Sequence, residues 1–115
     1  MNFTLTKEQE LVRQMVRDFA VNEVKPIAAE IDVTERFPME NVKKMGELGM
    51  MGIPFPTEFG GAGGDVLSYI LAVEELSKVC ATTGVILSAH TSLCASLINE
   101  NGTPAQKEKY LRDLC

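Results

Sequence analysis

The chain has 115 residues, of which 45% are hydrophobic and 23% charged, and a formal net charge of -5 at pH 7. That length and composition support one hydrophobic core and argue against disorder. The acidic balance, with no basic cluster larger than Lys43-Lys44, argues against a nucleic-acid-binding surface.

Thr6, with Gln9 three residues later, forms a capping box that opens a first helix. Leu11, Met15 and Phe19, flanked by Val12 and Val16, give that helix its expected buried side. Pro26 lacks an N–H, so a kink or short break is expected around Glu23-Val24-Lys25 before the pattern resumes through Ile27, Ala28 and Ile31. Pro38 suits the first turn of a second helix, Met39 to Leu48, ended by Gly49. Met50 to Phe55 reads as an apolar, irregular connector.

The segment Pro54 to Asp65 is dense in proline and glycine, with four glycines in the five positions 60–64. A glycine-rich turn before a helix can cradle phosphate, but a dinucleotide fingerprint needs a preceding strand and a P-loop needs a following lysine and hydroxyl. Neither is present. Asp65 instead caps a third helix running to about Val79. Val66, Leu67, Ile70, Leu71 and Val73 are expected on its buried side, with Glu74, Glu75 and Lys78 in water.

Thr82 or Thr83 opens a fourth helix that runs to Asn101 and stops at Gly102. From Ala81 to Asn99 no side chain carries a full charge unless His90 is protonated. A membrane span needs about 20 mostly apolar residues, and this segment spreads Ser88, His90, Thr91, Ser92 and Ser96 around several faces. A helix surrounded by protein is the expected reading. Thr103-Pro104-Ala105-Gln106 is a second capping box, opening a fifth helix with Tyr110, Leu111 and Leu114 as its apolar positions. No segment alternates with period two, so the predicted fold is an all-α bundle of about five helices forming one domain over residues 1–115.

The chemical inventory is short. Cys80, Cys94 and Cys115 show no metal-ligand spacing, and His90 is the only histidine. Neither a catalytic set nor a metal site is expected. Three cysteines and no leader ahead of the first helix suit a reducing bacterial or archaeal cytoplasm, or a mature organellar protein. Glu74-Glu75 reads as a solvated helix face. Cys94 reads as a small buried hydrophobe, and His90 as a hydrogen-bonded core or interface residue rather than a general base.

In order along the chain stand Leu5-Thr6-x-Glu8-Gln9, then Val24-x-Pro26-x-Ala28-x-Glu30-x-Asp32, then Glu58-Phe59-Gly60-Gly61-x-Gly63. Glu74-Glu75-Leu76-Ser77, Thr83-Gly84-Val85 and Gly102-Thr103-x-x-Gln106-Lys107-x-Lys109-Tyr110-Leu111 follow. Together they resemble the N-terminal domain of the acyl-CoA dehydrogenases. Asp65 to Leu76 and Ser88-x-x-x-Ser92-Leu93-Cys94 are most similar to the short-chain, butyryl-CoA branch.

The resemblance implies an FAD enzyme that converts acyl-CoA to trans-2-enoyl-CoA and passes electrons to an electron-transfer flavoprotein. Its flavin and its base, a glutamate, lie in a middle β-domain and a C-terminal helical domain absent from these 115 residues. The chain alone is therefore expected to be colourless and inactive, with no catalytic or cofactor-binding residue of its own. Its implied part is a wall of the acyl slot, for which Val85, Ile86, Ala89, His90, Leu93 and Cys94 are the candidates. An uncovered fourth helix further implies a homo-oligomer, by helix exchange across a flexible Gly60–Gly64 hinge. Two other readings stand beside this one: the same domain of a flavin oxidase or monooxygenase, and a stand-alone helical interaction module.

Overall fold

The computed structural model describes residues 2–115. Among these residues every regular element is helical, and they form five rods. The first comprises α1 (Lys7–Phe19), a π turn at Ala20–Val24 and α2 (Lys25–Thr34). The second is α3 (Met39–Glu47) and the third α4 (Val66–Val79). The fourth comprises α5 (Ala81–Ser88), a π turn at Ala89–Ala95 and α6 (Ser96–Asn101). The fifth is α7 (Pro104–Gln106), a π turn at Lys107–Leu111 and α8 (Arg112–Leu114).

Both predicted capping boxes form. The Thr6 and Thr103 hydroxyls each accept from the backbone N–H three residues on, at 3.2 Å, and the Gln9 and Gln106 side chains reach back at 2.9 Å. Asp65 caps α4 by accepting from the Ser68 N–H at 2.7 Å, and its second oxygen accepts from Gln9 Nε2 at 2.8 Å. These bonds hold the Asp65 carboxyl below the usual carboxylate range and join the starts of α1 and α4. Gly49, with φ of 79°, ends the second rod as expected.

The expected break at Pro26 is instead a register change. The backbone stays right-handed helical through Val24 and Lys25, and the Lys25 N–H bonds the carbonyl of Ala20, five residues back. That turn leaves Pro26 at the start of α2, where its missing N–H costs little. Pro38 likewise sits one position earlier than expected, as the cap residue of α3.

α4 lies at the centre of the fold, packed between α1 and α5. Val16, Phe19, Ala20, Val24, Met45, Met50, Tyr69, Ala72, Leu76 and Leu87 form the main core, and Phe55, Ala95 and Leu111 a second. The predicted inner face of α4 is displaced around the axis. Val66, Leu67 and Ile70 are exposed, as is Leu11 on α1, and Ser68, Tyr69, Leu71, Ala72, Glu75 and Leu76 are buried. Glu75, expected in water, is 3% exposed. It accepts from Arg17 Nε at 3.1 Å, Arg17 Nη2 at 3.0 Å and Lys78 Nζ at 3.1 Å. A two-sided helix cannot offer a single hydrophobic stripe, so an ion pair completes the contact with α1.

The glycine loop is not a hinge. The N–H groups of Ala62, Gly63 and Gly64 bond the carbonyls of Gly52, Phe55 and Ile53 at 2.8, 2.9 and 2.8 Å. A Cβ on Gly61 would lie 2.2 Å from the Phe55 carbonyl oxygen, which explains the glycine there. The loop is thereby stitched to the Met50–Phe55 connector, which begins with a 3-10 turn at Met50–Gly52.

The domain is a slab of 41 × 38 × 21 Å with 6947 Å² of accessible surface. A compact monomer of this mass would expose about 6,200 Å². Large apolar side chains stand exposed on several elements, among them Val85, Leu93 and Leu97 on the fourth rod.

Candidate functional site

The fourth rod carries two stripes with the same spacing. Thr83, Leu87, Thr91 and Ala95 are buried, four residues apart. Val85, Leu93 and Leu97 stand 64%, 74% and 63% exposed, and Ala89 fills the gap in their four-residue series. In a regular α-helix four residues advance about 400°, so such stripes would drift by about 40° per step and about 120° over twelve residues. The π turn cancels most of this drift. The Ser96 N–H bonds the Thr91 carbonyl, five residues back, so the turn absorbs one extra residue, or about 100°. Both stripes therefore run nearly parallel to the rod axis, one inward and one bare.

Of the six candidates, Val85 and Leu93 lie on the bare stripe, and half-buried Ala89 holds the position between them. Ile86 is half-buried beside the stripe. Cys94, expected to be buried, is exposed because the π turn carries Ser92, Leu93 and Cys94 outward together. His90 faces elsewhere. Its Nε2 lies 3.1 Å from the Met51 carbonyl oxygen and 2.9 Å from that of Leu114. Both partners are acceptors, so Nε2 carries the proton, and the ring bolts the connector and the last helical turn to the fourth rod. Leu97, which extends the bare stripe, escaped the sequence reading, although its four-residue spacing from Leu93 was there to be seen.

Charge is excluded from this face. Between Ala81 and Asn99 no acidic or basic side chain other than His90 occurs. Ser92 is exposed, but its hydroxyl and the Ser88 backbone carbonyl both reach the Tyr69 hydroxyl of α4. The Tyr69 hydroxyl lies 3.3 Å from the Ser88 carbonyl oxygen and 2.7 Å from Ser92 Oγ. With a single proton to give, Tyr69 donates to the carbonyl and accepts from Ser92. The Thr83 and Thr91 hydroxyls on the inner stripe are buried without a partner. The Cys115 thiol, beside Gly52, is pushed up by burial.

Among the described residues no three His, Cys, Asp or Glu side chains converge as a metal site. Nor does the glycine loop fit the phosphates of a flavin nucleotide. The N–H groups of residues 60–64 are all bonded, to the carbonyls of Thr57, Pro56, Gly52, Phe55 and Ile53. The arrangement offers a solvent-facing apolar stripe on a continuous helical rod, with no acidic or basic side chain upon it.

Residues 6–115 match the family model described as the acyl-CoA dehydrogenase N-terminal domain. The chain is 85% identical over 111 residues to the short-chain specific acyl-CoA dehydrogenase of Clostridium acetobutylicum, covering 96% of this chain and 29% of that protein. The structure of butyryl-CoA dehydrogenase from Megasphaera elsdenii superposes with a TM-score of 0.94 at 43% identity, over 99% of this chain and 30% of that one. A chain from structural work on the "Electron transferring flavoprotein of Acidaminococcus fermentans" superposes at 0.97 with 49% identity, again over 99% and 30%. The chain thus spans about 30% of the length of such relatives. With a matched model over nearly its whole length and helices that superpose throughout, this chain belongs to the acyl-CoA dehydrogenase family, as its N-terminal helical domain.

Proposed function

We propose that this domain works within a larger FAD-dependent short-chain acyl-CoA dehydrogenase, where the bare stripe of the fourth rod walls the slot for the acyl chain. The observation that carries this reading is the 21-residue rod Ala81–Asn101, whose outward stripe Val85, Ala89, Leu93 and Leu97 is apolar, uncharged and held straight. A saturated acyl chain needs such a lining, because ligand pockets are mostly apolar with few polar groups. Burying one CH2 is worth about 0.8 kcal/mol, so a wall contacting three carbons supplies about 2 kcal/mol of binding. That suffices to hold the chain and to discriminate lengths by one or two methylenes.

In this reading FAD and the glutamate base belong to other parts of the complete protein, and residues 2–115 supply binding and exclusion of water. The electrons pass to an electron-transfer flavoprotein. The enzyme resides in a bacterial cytoplasm as a homo-oligomer. High identity to a short-chain specific relative favours butyryl-CoA as substrate. The test is anaerobic titration of the purified full-length protein. Butyryl-CoA should bleach its visible flavin absorbance, and octanoyl-CoA should do so poorly. A protein without flavin, or a flavin that butyryl-CoA leaves oxidised, would reject the reading.

A further inference from the structure

The straightness of the bare stripe depends on one local device, the π turn at Ala89–Ala95. Such turns are rare and occur mostly as single-turn bulges inside α-helices, frequently at functional sites. The neighbour of this one is Tyr69 of α4, itself only 6% exposed. Its hydroxyl bonds the Ser88 carbonyl just before the turn and the Ser92 hydroxyl within it. These two bonds span the place where the helix changes from four-residue to five-residue bonding.

We propose that the Tyr69–Ser92–Ser88 clasp is a specificity-determining device, which sets the register of the π turn and so selects the side chains that face the acyl chain. The inference rests on the acyl-slot reading for its consequence, but not for its mechanism. If the clasp is removed and the turn relaxes to regular helix, one residue is no longer absorbed. Everything beyond the turn then rotates by about 100° relative to Val85. Leu97 leaves the stripe, and the wall opposite the far end of the acyl chain changes its shape. Tyr69 touches neither substrate nor cofactor in this reading, so it is a positioning residue.

The experiment compares the full-length protein with Tyr69→Phe, Ser92→Ala, Ser92→Thr and the double variant Tyr69→Phe/Ser92→Ala. The readout is the ratio of kcat/KM for butyryl-CoA over hexanoyl-CoA, with thermal stability and flavin content measured alongside. Tyr69→Phe and Ser92→Ala should each lower the ratio about fivefold or more, within the range one misplaced methylene contact commands. The change should appear mainly in KM. The double variant should do no more than either single one, because both remove one device. Ser92→Thr keeps the hydroxyl and should keep the parent ratio. A ratio unchanged within twofold in Tyr69→Phe, or a Ser92→Thr ratio as low as that of Ser92→Ala, would overturn the proposal.

A crystal structure of the Tyr69→Phe variant separates this idea from the functional reading. If the parent protein oxidises neither thioester, the acyl-slot reading falls, and the variant's backbone alone decides the clasp. Loss of the bond from the Ser96 N–H to the Thr91 carbonyl supports it, and retention of that bond overturns it.

Discussion

The Arg17–Glu75 pair joins the first and third rods, and the two partners should be unequal under mutation. Glu75 is 3% exposed and Arg17 43%, with their side chains 3.0 Å apart. Replacing Arg17 with methionine keeps the packing stem but strands a buried carboxylate whose remaining cation is the half-exposed Lys78 at 3.1 Å. Breaking a fully buried pair this way costs about 3–5 kcal/mol, and with Arg17 half-exposed and the Lys78 contact surviving this case lies lower, at about 2 kcal/mol. Replacing Glu75 with methionine instead removes the buried charge and frees Arg17 into water it already reaches. That change should cost about 1 kcal/mol or less. The double variant should resemble Glu75→Met alone, giving a coupling of about 2 kcal/mol. Urea unfolding followed by helical circular dichroism measures all four proteins. A Glu75→Met loss equal to or larger than that of Arg17→Met would refute the claim that burial of Glu75, rather than the pair's attraction, sets the asymmetry.

The same carboxylate makes stability depend on pH. Hydrogen bonding from Arg17 lowers the folded pKa of Glu75, so its contribution is fully present above the unfolded value of about 4.3 and is lost as pH falls through the lower folded value. Glu75→Gln should therefore flatten the acid limb of the stability curve relative to the parent, and an unchanged limb in urea titrations from pH 6 to 3 would contradict this. At the glycines, Gly61→Ala should cost about 3 kcal/mol or prevent folding, since its Cβ would meet the Phe55 carbonyl oxygen at 2.2 Å. Gly46→Ala, where a Cβ meets nothing within 4 Å in α3, should instead stabilise by about 0.5–1 kcal/mol. Thermal melts of the two variants read both signs.

The helix count, the capping boxes at Thr6 and Thr103, the Asp65 cap and the Gly49 stop were legible because each is a local device with its own residues. The orientation of α4 was not. Val66, Leu67, Ile70, Leu71, Ala72 and Val73 are apolar around most of the axis, so periodicity cannot say which side meets α1. Among the buried positions of α4 only Glu75 carries a charge, and it is paired with Arg17, 58 residues away. Cys94 was misplaced for a different reason. Residue type alone suggests a buried cysteine, and it carries no information about a residue absorbed along the rod. The four-residue recurrence at Thr83, Leu87, Thr91 and Ala95, and again at Val85, Ala89, Leu93 and Leu97, was the available signal of a π turn. Val16, Ala20 and Val24, buried across the first π turn, carry the same signature.

The claim that the bare stripe walls an acyl slot is tested most directly by placing charge on it without touching the core. Val85 and Leu93 are 64% and 74% exposed in this domain, so Val85→Asp and Leu93→Asp should leave its folding intact. In the full-length protein each carboxylate would face the acyl chain, where an unpaired charge is expelled from apolar surroundings at a cost of several kcal/mol. The measurement is the rate and extent of flavin bleaching by butyryl-CoA under anaerobic conditions. The account predicts a loss of about a hundredfold or more in apparent affinity, with flavin content and helical melting near those of the parent. Undiminished bleaching by butyryl-CoA in both variants would contradict it.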